Sequence, residues 1–134
     1  MSEQSAIEIA QKWLEDSAST ASNHQFEEHF NLISKKVKIT GVKGFDSVGY
    51  NDWARQSEQE FKDKVIKSVG YEGLKLQATN ERQIMFKTVE EIIANDGTRK
   101  RHGLEVLLEI EEGIWRVTQE RVLTDDEARH DGLM

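Results

Sequence analysis

After Val69 the apolar residues stop recurring every third or fourth position and start to alternate along four runs, and this change constrains the chain more than any other feature. Leu74, Leu76 and Ala78 alternate with Lys75, Gln77 and Thr79. Longer runs follow over 82–94, 98–110 and 114–123. Period two with β-branched and aromatic residues belongs to strands that bury one face. The breaks, Asn95-Asp96-Gly97 and Glu111-Glu112-Gly113, place glycine where a hairpin needs positive φ. The C-terminal half therefore reads as an antiparallel meander.

Before Val69 the spacing is helical. Ser5-Ala6-Ile7-Glu8 has the pattern of a capping box, and Ala6, Ile9, Ala10, Trp13, Leu14 and Ser17 then form one apolar stripe. The small polar run 17–23 predicts the end of that helix, since Ser, Thr and Asn compete locally for backbone hydrogen bonds. A second helix carrying Phe26, Phe30 and Ile33 follows, capped by Ser22 or Asn23. Val37 to Val42 alternates as a short strand, Gly44 and Gly49 bracket a loop, and Trp53, Ser57 and Phe61 define a third helix from Asn51 to about Lys64. Residues 125–134 show no periodicity and predict a polar, flexible tail after a single domain spanning 1–124.

Pairing can be argued further. A three-residue loop at Asn95-Asp96-Gly97 sets Ile84 opposite Leu108, Phe86 opposite Val106 and Glu90 opposite His102. Pairing Ile110 with Trp115 continues as Leu108 with Val117, Val106 with Gln119 and Leu104 with Arg121. One face then gathers Phe86, Glu90, His102, Gln119 and Arg121. The opposite face, with Met85, Val89, Ile93, Leu107, Ile114 and Val122 among charged residues, is too apolar for a fully exposed surface, and a homodimer through the sheets is expected.

Composition narrows the function classes. The net charge of −7 opposes phosphate backbones, so no nucleic-acid partner is expected. The basic run Arg99-Lys100-Arg101-His102 reads as a solvated hairpin end. No apolar run approaches the roughly 20 residues that cross a bilayer, so no membrane partner is expected either. The opening Met1-Ser2-Glu3-Gln4 lacks the basic and apolar regions of a secretory signal, and with no cysteine in the chain a reducing, cytoplasmic location is expected. His24 and His29 are five apart and do not share a helical face; no metal and no cofactor is expected.

Helix, helix, short strand, Gly-bounded loop, helix and meander is an order that resembles the NTF2-like, or SnoaL-like, superfamily. The resemblance rests on Gly49-Tyr50-Asn51-Asp52-Trp53 entering the third helix, Asn95-Asp96-Gly97 between long strands, and Glu112-Gly113-Ile114-Trp115-Arg116-Val117, similar to that superfamily's DG-x-W-k-i pattern. It covers nearly the whole chain and implies an α+β fold: three N-terminal helices packed on a strongly bent antiparallel sheet, forming a cone with a pocket. It also implies a small-molecule function, because the superfamily includes isomerases, cyclases and dehydratases alongside non-enzymatic transport factors.

On that expectation His102 or Glu90 is a general base and its partner an orienter, with Arg121 or Gln119 meeting negative charge on a substrate oxygen. Tyr50, Trp53, Phe86, Gln119 and Arg121 are the expected ligand contacts, and the partner is a small hydrophobic or carbonyl-containing molecule. Two readings stay open: an acid–base enzyme whose polar groups converge on an empty point, and a dimeric binding or interaction module in which Glu90, His102 and Arg121 only pair with one another. Trp13, Trp115 and His29 read as structural.

Overall fold

A computed structural model describes residues 1–134. The chain runs α1 (Glu3–Ser22), α2 (Phe26–Phe30), β1 (Ile33–Thr40), β2 (Val48–Gly49), α3 (Tyr50–Lys62), β3 (Ile66–Thr79), β4 (Gln83–Ala94), β5 (Arg99–Glu111), β6 (Ile114–Val122) and α4 (Asp125–His130). The six strands form one open sheet in the order β2-β1-β6-β5-β4-β3. The meander β3 to β6 is antiparallel, as its alternation predicts. The sheet as a whole is mixed, because β1 runs parallel to β6. No helix is long and apolar enough to cross a membrane.

Helices α1 to α3 cover one face. Ala6, Ala10, Trp13 and Leu14 of α1 meet Ile84, Phe86, Leu104, Val106, Leu108 and Val117 in a continuous core. Helix α1 begins three residues earlier than the Ser5 cap would place it, at Glu3, because the Ser2 hydroxyl accepts from the Ser5 backbone N–H. It also continues through the polar run. Ser17 and Ser22 find partners in the Tyr71 hydroxyl and the Val69 backbone of β3, and Ala21 is buried there. Tertiary contacts override the weak local preference. Helix α2 is shorter than its spacing predicts, since Ile33 leaves it to open β1 beside Val117.

Helix α3 fits its sequence. Asp52 sits in the first turn and Lys62 in the last, each complementing the helix dipole, while Phe61 is buried. The loop leading to it is anchored at Gly41, where φ is +81° and an added Cβ would stand 2.2 Å from the Val122 carbonyl oxygen. Only glycine allows that backbone approach.

Two expectations are corrected at the C-terminal end. Residues 125–134, expected as a flexible tail, contain α4. Its start is written in Thr124-Asp125-Asp126-Glu127, where the Thr124 hydroxyl accepts from the Glu127 N–H at 3.1 Å. The helix buries Ala128 against the sheet's outer face, and Lys87 of β4 pairs with Asp131 at 2.5 Å. The second correction is register. Pairing between β5 and β6 is regular from Ile110–Trp115 to Leu108–Val117, then shifts, so that Leu107 faces Gln119, Val106 faces Glu120 and Leu104 faces Val122. Thr118 is the extra residue of a β-bulge, and every side chain beyond it changes face.

Candidate functional site

A cavity of about 400 Å³ lies between the helices and the concave face of the sheet. This is within the range of small-molecule sites. Trp13, Ser17 and Ala21 of α1, His29 of α2, and Trp53, Ser57 and Phe61 of α3 form one wall. Tyr71, Glu90, His102, Leu104, Glu120 and Val122 form the sheet side. Phe45, 65% exposed on the loop before β2, stands at the rim.

The sheet delivers its polar groups in register. Tyr71 pairs with Glu90, and Glu90 with His102, so three adjacent strands present one polar row. His102 Nε2 lies 3.0 Å from Glu90 Oε1. The Tyr71 hydroxyl lies 3.1 Å from Ser17 Oγ, and burial together with the charges of Glu90 and Glu120 raises its pKa well above the ordinary value. It remains a neutral hydroxyl.

Glu120 is the least expected member. It is 9% exposed, and burial, reinforced by the negative charge of Glu90, pushes its pKa up to about 8. No hydrogen bond offsets that burial. Since no side-chain oxygen is sealed away without a partner, the Glu120 carboxyl opens onto the cavity it lines. At neutral pH it is therefore a neutral acid beside the Glu90 side chain, and a protonated carboxyl lining a cavity can donate a proton or a hydrogen bond there.

His29 also reaches the cavity. The Thr20 hydroxyl has one proton, directed to the Asp16 carbonyl oxygen at 2.7 Å, so His29 Nδ1–H donates to Thr20 Oγ1 at 2.8 Å. Nε2 is then the bare nitrogen. Burial lowers the His29 pKa to about 4, which keeps the ring neutral.

The expected site residues divide. Glu90, His102 and Trp53 line the cavity together. Phe86 is fully buried in the core beneath it, with no exposed surface for a ligand. Tyr50 packs edge-on against Phe30 with ring centroids 5.7 Å apart and belongs to an outer hollow with Lys35 and Asn51. Gln119 and Arg121 are carried by the bulge to the outer face, where Arg121 bonds Glu105 at 3.1 Å and Glu127 at 2.8 Å. They do not face the cavity. The residues missed, Glu120 and Val122, had a signal: Trp115 and Val117 are apolar at odd positions and Val122 at an even one, and such a switch of parity is what a single-residue bulge leaves in a strand. Tyr71 and His29 had none, because β3 and α2 place them by tertiary packing. No group of three His, Asp or Glu side chains is arranged to hold a metal ion.

Helices in front of a bulged, open sheet with a cavity between them constitute the NTF2-like α+β fold, and solved structures of that fold superpose on most of this chain. A candidate scytalone dehydratase from Novosphingobium aromaticivorans matches with TM-score 0.73 at 10% identity, covering 87% of this chain and 81% of that one. An NTF2-like protein from Cytophaga hutchinsonii matches with TM-score 0.68 at 12% identity, covering 92% and 99%. LinA matches with TM-score 0.66 at 9% identity, covering 91% and 87%. Identities this low establish the fold alone. No family model and no curated protein matches the sequence.

Proposed function

We propose that the protein binds a small, largely apolar molecule in the cavity and exchanges protons with its buried end, Glu120 acting as acid and Glu90, oriented by His102, as base. The observation that carries this reading is the unpaired Glu120 carboxyl opening onto an aromatic-walled cavity of about 400 Å³ beside Glu90. With Arg121 and Gln119 turned outward, the neutral Glu120 and Tyr71 are donors on the sheet side for a substrate oxygen. The candidate scytalone dehydratase among the similar structures supports proton-transfer chemistry as a use of this fold.

The test of binding is fluorescence of the neutral probe N-phenyl-1-naphthylamine added to wild type and to Ser57→Trp, which fills the α3 side of the cavity. Enhancement in wild type and its loss in the variant are expected; equal enhancement would place the probe elsewhere and end this reading. Proton transfer is read from deuterium uptake next to the carbonyl of 2-tetralone. Acceleration that is lost in both Glu90→Gln and Glu120→Gln is expected.

The Glu90–His102 contact favours a second reading in one respect, since those two groups satisfy each other. In a purely binding module the probe enhancement persists and 2-tetralone exchanges no faster than in buffer.

A further inference from the structure

The charged side chains around the cavity are all of one sign. Asp52 and Glu60 enter from α3, Glu90 from β4 and Glu120 from β6, and no Lys or Arg is among the lining residues. The other titratable groups facing Glu120 are His29 from α2, His102 from β5 and Tyr71 from β3; α1 contributes Ser17 and no charge. Chain composition does not explain this bias, because 18 Lys and Arg stand against 25 Asp and Glu in the sequence. The cations close to the sheet are engaged elsewhere: Arg121 with Glu105 and Glu127, Arg101 with Glu72, and Lys87 with Asp131, all in pairs outside the cavity.

Acidic residues alone would define no site. Here one of them, Glu120, is nine-tenths buried, has no protein partner and opens onto the cavity. The apolar wall includes Trp13, Trp53 and Phe61, and aromatic rings attract a cation that has been taken out of water. A carboxylate or phosphate ligand would meet Glu90 and Glu120 at the sheet side, with no Lys or Arg among the lining residues to offset its charge; Asp52, at the exposed edge, is paired with Arg55. We infer that the ligand of this cavity is an organic cation, a protonated amine on an aromatic or alicyclic body, held by Glu120 at its charged end and by the indole and phenyl walls along its body. The inference rests on the small-molecule binding proposed above, not on the proton transfer, and adds the chemical class of the ligand.

Electroneutrality gives the inference a signature that simple apolar binding lacks. A bound ammonium favours the ionised Glu120, so binding expels the Glu120 proton, and affinity falls as the pH drops below the range where Glu120 ionises in the free protein. Tyr71 stays neutral throughout, and His29 is already without its proton, so neither reverses the sign.

The experiment is calorimetric titration of the whole chain with three probes sharing one ring system: 2-naphthylmethylammonium, 2-naphthalenemethanol and 2-naphthoate. At about pH 8 the ammonium is expected to bind at least about tenfold tighter than the alcohol, and the naphthoate weakest. Between about pH 8 and pH 6.5 the ammonium should lose about tenfold in affinity per unit, with proton release on binding, while the alcohol stays level. Glu120→Gln, an isosteric change that removes a buried acid, should lose the preference for the ammonium over the alcohol together with its pH dependence. If the alcohol or naphthoate binds wild type at least as tightly as the ammonium, the cation assignment is wrong and the pocket remains a small-molecule site. If none of the three binds, the pocket reading fails with it.

Discussion

Glu120 shows most directly how a single residue's surroundings set its chemistry. A carboxylic acid with an ordinary pKa of 4.5 is held at about 8 because its charged form is buried beside another negative charge. Between these two values the folded chain keeps a proton that the unfolded chain has released, so this group lowers stability as the pH rises through that window and by a constant amount above it. His29 has the opposite sign: its pKa falls from 6.5 to about 4 on folding, so its contribution is lost as acid is added through that interval. The two effects oppose each other up to about pH 6.5, and above it Glu120 acts alone. Glu120→Gln should therefore raise stability by about 2–4 kcal/mol at pH 8, a gain that shrinks toward pH 5. Urea unfolding at both pH values checks this; an equal gain at both would mean that Glu120 is not held protonated by the fold.

At the level of elements, the bulge in β6 and the α4 helix decide what each sheet face does. Pairing of β4 with β5 could be deduced from loop length and apolar matching, and it holds along its whole length, including Glu90 opposite His102. Pairing of β5 with β6 could be deduced only as far as Val117, because hairpin rules assume one residue per partner and Thr118 is an extra one. Helix α4 follows a similar logic, its cap being visible in Thr124 to Glu127 but its stability depending on a surface 20 or more residues away. Gly103 makes room for it: an added Cβ would stand 3.1 Å from both Ala128 Cβ and Leu123 Cδ1. Gly103→Val should displace α4 and cost about 1–3 kcal/mol, the usual range for overpacking. Truncation after Thr124 should cost a similar amount, and combining the two should add little beyond either alone. Full additivity in chemical denaturation would show that Gly103 does not act through α4.

For the whole molecule, the same helix narrows what the outer face can do. It covers the sheet around Val89 and Gly103, and Arg121 is tied between Glu105 and Glu127. A hollow of about 160 Å³ with Met85 and Leu107 among charged groups remains open. Association of two copies through that open part predicts a dimer in sedimentation at micromolar concentration, turned into a monomer by Met85→Glu with Leu107→Glu. A monomeric wild type would leave this face as plain solvated surface. On the concave face the same architecture forms the cavity, and there the tertiary level matters most: α1, α2, α3, β3, β4, β5 and β6 all contribute polar groups, and their convergence follows from the packing of seven elements spread along the chain.

The sequence by itself determined the order of elements, the hairpins with their glycines, the register between β4 and β5, and the pairing of Glu90 with His102, because these follow from periodicity and turn geometry over short separations. Tertiary structure decided the parallel contact of β1 with β6, the full length of α1, the docking of α4 and the bulge at Thr118. The physical reason lies in alternation with period two: one extra residue exchanges the two faces of a strand, so Gln119 and Arg121 turn outward and Glu120 turns inward. Whether the extra residue is taken up as a bulge depends on how β6 pairs with its neighbours. The bulge turned an acid toward the cavity and left Arg121 outside it.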